Sequence, residues 1–114
     1  MASLNMSGPF ELDDETIDKQ VTKTSAGNYA LGYMDKEGKF RICYVGRSDS
    51  DVKDRLKYWI KKSNRTHFKY SYATSPKAAY DKECQNYHDF DPPDNDIHPG
   101  KPDDSNWKCP VCKE

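Results

Sequence analysis

No run in this 114-residue chain approaches the ~20 consecutive apolar residues of a transmembrane helix, which excludes a membrane span of that kind. Its first residues, MASLNMSGPFELDDE, lack the basic start and apolar core of a signal peptide, so the expectation is an intracellular, cytoplasmic protein. Apolar residues are scarce. They make up 34% of the chain against 32% charged, with a mean hydropathy of -1.10, too little to enclose a large buried pocket. There is no internal repeat, and at this length the chain builds one small domain. Cysteine is limited to four residues, which in a reducing compartment are thiols or metal ligands before they are disulfides.

Net charge is nearly absent too, at -1, but the balance hides a strong segregation. Residues 39–69 hold ten Lys/Arg and three Asp, a balance of +7, while the remaining 8 basic and 16 acidic residues balance to -8. A cationic block interleaved with Tyr44, Tyr58, Trp59, Phe68, Tyr70 and Tyr72 is either a solvated face or a surface for a nucleic-acid backbone. On the second reading Arg47, Lys53, Lys57, Lys61 and Lys62 are the phosphate contacts.

Local patterns divide the chain into a polar, partly ordered arm (1–25), a folded region (26–97) and a tail carrying a Cys-Pro-Val-Cys knuckle (98–114). GNYALGYMD and KFRICYVG are β-rich runs separated by Lys36-Glu37-Gly38, the signature of a hairpin. Candidate caps among residues 48–51 precede a helix over about 51–62, HFKYSYAT alternates as a third strand, and Ser75-Pro76 opens a helix over about 76–89. The stretch DPPDNDIHPGKPDDSN should be extended loop. The expected fold is α+β: a small antiparallel three-stranded sheet packed with helices in the order β-β-α-β-α.

Helical periodicity gives the first chemical clue. Arg55 falls within the apolar stripe of Val52, Leu56, Trp59 and Ile60, and Glu83 within that of Ala79, Tyr80 and Tyr87. Both should face inward, either paired with each other, snorkelling to the rim, or forming a functional site, because an inward charge is costly unless used or paired.

The ordered set Gly27-Asn28-Tyr29, Tyr44-Val45-Gly46, Arg55, Glu83 and Asn95 resembles the GIY-YIG nuclease domain, over roughly residues 27–95. The resemblance implies a GIY-YIG-like fold and an endonuclease that hydrolyses DNA phosphodiester bonds with a divalent metal, Mg²⁺ or Mn²⁺, held by Glu83. Tyr29, Tyr44, Arg55, Glu83 and Asn95 are then the implied catalytic set. Tyr33, preceded by Leu31-Gly32, competes with Tyr29 for the role of first tyrosine, and Trp59 stands where many members carry a histidine. Such chemistry suits these residue types: a single carboxylate can hold one Mg²⁺ that keeps most of its waters, Arg55 offers a planar fork to a phosphate oxygen, and a phenol of lowered pKa, Tyr29 or Tyr44, would serve as general base. The alternative is a catalytically inactive GIY-YIG-like module that binds nucleic acid or protein. In either case a partner protein or second subunit is expected to supply target choice.

A second constellation lies outside that resemblance. Cys84 and His88 are spaced i, i+4 on one helix and Cys109-Pro-Val-Cys112 forms a knuckle, together giving the ligands of a structural Cys3His zinc site. His98 is the rival fourth ligand, and Cys43, alone in a strand, is expected in the core.

Overall fold

The N-terminal residues expected to form a loose arm instead build two elements, β1 (Ser7–Glu11) and α1 (Asp14–Gln20). The cause is a handful of apolar side chains whose spacing is too sparse to stand out. Ile17 and Val21 are fully buried, with Phe10 and Leu12 packed against the same cluster. Asp13 caps α1, its carboxylate accepting from the Thr16 amide at 2.8 Å. Pro9 lies in β1 at the sheet edge, where a missing amide hydrogen costs no ladder bond. A computed structural model of the chain describes residues 4–95, 98–101 and 105–112. The expected boundary at residue 97 therefore lies outside the described residues, as do the first three residues of the arm.

The remaining elements follow the reading from sequence: β2 (Gly27–Met34), β3 (Phe40–Ser48), α2 (Val52–Lys62), β4 (His67–Tyr72) and α3 (Pro76–Phe90). Gly38 supplies the positive φ of +78° that the β2–β3 loop needs. Asp51 caps α2 through the amides of Lys53 and Asp54, and Ser75 caps α3 through that of Ala78. All pairings are antiparallel, in the order β1-β4-β2-β3. The sheet thus has four strands rather than three, the extra one added beside β4.

Strand alternation sends successive side chains to opposite faces. Tyr29, Leu31, Phe68 and Tyr70 join Ile17, Val21, Val52 and Leu56 in the main core beneath α1 and α2. Ala30 and Val45 point the other way into a smaller cluster with Leu4, against which Tyr87 and Phe90 of α3 pack. Asn28 ties β2 to α3 by donating from Nδ2 to the Ala79 carbonyl at 2.9 Å. After α3 the chain runs along the open edge of β3, where the Asp94 amide donates to the Cys43 carbonyl at 2.8 Å. Cys43 itself is buried, as expected.

Candidate active site and metal centre

Where β2 and β3 run beside α2 and α3, a cleft of about 290 Å³ is lined by Tyr29, Tyr44, Gly46, Arg47, Arg55, Trp59 and Glu83, with Ser48 and Asp49. Tyr29 and Gly46 are cross-strand partners, and a Cβ on Gly46 would overlap the Cζ and Oη of Tyr29. The glycine is therefore needed for the Tyr29 ring to lie across β3. Trp59 Nε1 donates to Tyr29 Oη at 2.7 Å, and the Tyr44 ring lies 5.0 Å from Trp59 and 6.2 Å from Tyr29. Tyr33, the competing first tyrosine, is opposite Arg41 at the far end of the hairpin, 44% exposed and away from the cleft.

Glu83 is 8% exposed, and its partner is Arg47 rather than Arg55: Arg47 Nη1 donates to Glu83 Oε1 at 2.6 Å. The same guanidinium donates from Nε to Asp49 Oδ1 at 2.9 Å and from Nη2 to the Gly100 carbonyl at 2.8 Å. It also lies 5.1 Å above the Tyr80 ring. Arg47 was expected as a surface phosphate contact; with each nitrogen engaged it is an internal counter-ion. Burial raises the pKa of Glu83, an effect Arg47 opposes without cancelling.

Arg55 reaches the cleft from its rim instead of the core side. It is exposed, with its guanidinium 5.4 Å from the Tyr58 ring, while Val52 and Leu56 take the buried positions of α2. The reason is angular: at 100° per residue Arg55 stands about 60° away from Val52, enough to move a long side chain from floor to edge. Asn95 does not line the cleft. Its Oδ1 accepts from the Val45 amide at 2.9 Å and its Nδ2 donates to the Val45 carbonyl at 3.0 Å, so it acts as a one-residue strand partner that holds β3 between Tyr44 and Gly46.

Burial, followed by the neighbouring Tyr44, raises Tyr29 strongly, and burial, followed by Glu83, raises Tyr44, while Arg55 lowers both. Without a cation beside them both phenols are therefore protonated, and the lowered phenol expected of a general base is not produced by Arg55 alone. The cationic block is likewise partly neutralised from outside. Lys53 and Lys57 reach Asp18 of α1 at 3.2 and 2.6 Å, and Arg65 pairs with Asp94 through two hydrogen bonds of 2.9 Å. Lys61 and Lys62 remain exposed at the end of α2, where Lys62 lines a second groove that shares Tyr44 and Trp59 with the cleft.

At the other end of α3 four ligand atoms converge. His88 Nε2 lies 3.2 Å from His98 Nε2, and Cys112 Sγ lies 3.4 Å from the same His98 nitrogen. With Cys109 they form a group whose ligand atoms are all within 4.8 Å of one another, and this group could hold a metal ion. His98 Nδ1 faces the Pro99 carbonyl at 2.9 Å, which requires the proton on Nδ1 and leaves Nε2 with its lone pair toward the cluster. Burial would raise the Cys109 thiol, but backbone amides of Cys112 and Val111 together with His98 overcome it and draw the pKa down to about 6.

Cys84, expected as a ligand, is not a member of this group; His98 takes the fourth place. Cys84 is fully buried with Tyr80 and Cys109 beneath Trp107, and burial pushes its thiol up to about 12. Its thiol nonetheless meets that of Cys109, and Trp107 packs on Tyr80, centroids 5.7 Å apart, over the cluster that holds both cysteines. Two further features had no simple sequence signal, namely the Arg47–Glu83 pair and the binding of Asn95 to Val45. The four cysteines carry no disulfide.

Compared with protein-family models, curated proteins and solved structures, the chain matches none significantly. The chemistry of the two sites is therefore read from their own atoms.

Proposed function

We propose that the chain is a divalent-metal-dependent endonuclease of the GIY-YIG type, hydrolysing DNA phosphodiester bonds in the cleft beside β3. One observation carries the reading: Tyr29, Tyr44, Arg55 and Glu83, from four separate elements, line one small cleft kept open by Gly46. Arg55, at the rim, binds and orients a non-bridging phosphate oxygen. Tyr29 or Tyr44 is the group that would take the proton of the attacking water as general base, its phenol pKa lowered by Arg55 and by a cation at Glu83, and the Trp59 indole holds the Tyr29 hydroxyl. Asn95 keeps Tyr44 and Gly46 in register without touching substrate. Exposed Lys61 and Lys62 extend the positive surface along the adjoining groove.

Glu83 would hold the Mg²⁺ or Mn²⁺. A lone carboxylate suits an ion that keeps most of its waters and takes its remaining oxygens from substrate, although Arg47 occupies Oε1 at rest. When bound, the ion supplies Lewis-acid stabilisation of the phosphate and of the departing alkoxide. The His88–His98–Cys109–Cys112 cluster fits zinc by its soft donors and by separations of 3.2 and 3.4 Å, close to the roughly 3.3–3.8 Å edges of a tetrahedron with zinc bonds of ~2.0–2.3 Å. There zinc is structural and ties the C-terminal segment to α3. On this reading the protein works in the cytoplasm or another reducing compartment, where cysteines serve as thiols or metal ligands, and a partner protein or second subunit supplies target choice.

The test is incubation of the purified full chain with supercoiled plasmid, with and without Mg²⁺ or Mn²⁺. Nicking that requires the cation supports the assignment. The Arg47–Glu83 ion pair favours a second reading, a module that has kept the scaffold and lost turnover. It predicts salt-sensitive DNA binding with no nicking under any cation, or, for a protein-binding module, no DNA binding at low salt.

A further inference from the structure

Arg47 links the cleft to the loop that follows the cluster ligand His98. Its Nη1 donates to Glu83 Oε1 at 2.6 Å and its Nη2 to the Gly100 carbonyl at 2.8 Å. Gly100 lies two residues after His98, a member of the His/Cys cluster, and His98 is itself fixed through the Pro99 carbonyl. The loop that presents the Gly100 carbonyl is thus hung on the metal cluster, while the carboxylate at the other end of the guanidinium is the one proposed to bind the catalytic cation. A cation at Glu83 and a guanidinium on Oε1 repel each other at short range in a half-buried setting, so they compete for the carboxylate.

We infer that Arg47 is a positioning residue and resident counter-ion for Glu83, and that the zinc-clipped loop, through the Gly100 carbonyl, holds it there until divalent metal and substrate displace it. This rests on the reading of Glu83 as a metal carboxylate. In the resting protein the acid is neutralised without a divalent ion, which stabilises the cleft. On engagement the guanidinium gives up Oε1 and becomes available to the incoming phosphate, keeping its bond to Asp49. Loss of the cluster metal frees Gly100, removes one of the three anchors of Arg47 and loosens its hold on Glu83.

The test measures Mn²⁺ binding to zinc-loaded full chain by the electron paramagnetic resonance of free Mn²⁺, independently of nicking. Arg47→Ala should tighten Mn²⁺ binding by about tenfold, within the usual range of coupling between competing sites, and adding Glu83→Gln should abolish the gain. Arg47→Gln, which keeps hydrogen-bond donors without the charge, should tighten it as well and guards against misfolding in the alanine variant. Lys77→Ala, which removes an exposed charge paired with Asp81, should not. Glu83-dependent Mn²⁺ binding that is unchanged or weaker in both Arg47 variants overturns the counter-ion role and leaves the metal reading of Glu83 standing. Absence of Glu83-dependent binding in every protein overturns that reading and the counter-ion role with it. The loop is tested separately by the Arg47 Nη–H cross-peaks in a nitrogen–proton correlation spectrum, because Nη2 is the nitrogen bonded to Gly100. Cys109→Ser with Cys112→Ser should move them toward the averaged position of a freely rotating guanidinium, and unmoved peaks after zinc loss overturn the link to the cluster.

Discussion

The cleft beside β3 and the His/Cys cluster share α3, which gives Glu83 to one and His88 to the other, five residues or about 7.5 Å apart along the helix axis. They are built from opposite materials. The cleft offers one hard carboxylate among phenols and guanidinium groups, whereas the cluster offers two imidazoles and two thiols held within 4.8 Å of each other. The first donor set suits a cation that comes and goes with substrate; the second suits one that stays. Their support differs in the same sense. The cleft is cut into a sheet whose inward face, with Leu31 and Phe68, is covered by Ile17, Val52 and Leu56, while the C-terminal segment buries Pro99 and Cys109 and half-buries Trp107 among its described residues. Geometry at the cleft therefore comes from packing, and geometry at the cluster from ligand bonds.

Substitutions should separate the two. Apart from loss of the Glu83 carboxylate, the largest effect is expected from Arg55→Ala, which should slow metal-dependent nicking by roughly 100-fold or more through loss of a phosphate-binding charge. Because Arg55 is exposed, the melting temperature should barely move; a large drop would make it a structural residue instead. Next is Cys109→Ser with Cys112→Ser. It should empty the cluster, seen as loss of about one zinc per chain in elemental analysis, and lower the melting temperature by roughly 5 °C or more. Unchanged zinc content would contradict the ligand assignment, and retained zinc in His98→Ala alone would return the fourth position to Cys84.

A pair of glycines sharpens the contrast further. Gly46→Ala forces a methyl group into the Tyr29 ring and should cost about 2 kcal/mol, read as a lower urea midpoint. Gly100→Ala has open space around the added carbon and should be close to neutral. Equal costs would mean that the cleft is not held by packing in the way described. A smaller cost than that of Gly46→Ala is expected from Asn95→Ala, which removes two hydrogen bonds to the Val45 backbone and should cost about 1 kcal/mol, with nicking reduced only as far as β3 loosens.

Much of this arrangement is written locally and is legible before any coordinates. The hairpin, the two longer helices and their caps follow from alternation, Gly38, Asp51 and Ser75-Pro76, and the inward position of Glu83 follows from helical periodicity, whereas Arg55, placed inward by the same rule, stands exposed at the rim. Elements that depend on distant partners are not legible in that way. The β1 strand exists because β4 has an unpaired edge, and α1 because Ile17 and Val21 find the core beneath β2 and β4. The Arg47–Glu83 pair joins residues 36 apart and Asn95 binds a backbone 50 residues away, distances over which no spacing rule operates. Cys84 shows the limit from the other side. Its spacing to His88 suits a shared ligand face, yet the group that converges takes His98, brought in by the fold of the loop after α3, and leaves Cys84 beside it against Cys109.

The most direct test of the central claim compares wild-type protein with Glu83→Gln at equal zinc content, each incubated with supercoiled plasmid in Mn²⁺ and in chelexed buffer. The amide keeps the shape of the side chain and removes the charge that would hold the catalytic cation, while leaving His88, His98, Cys109 and Cys112 untouched. The account predicts nicked circles from the wild type only with Mn²⁺, none above background from Glu83→Gln, and the same zinc content and fold in both. Nicking by Glu83→Gln at the wild-type rate, or none by either protein, would contradict it.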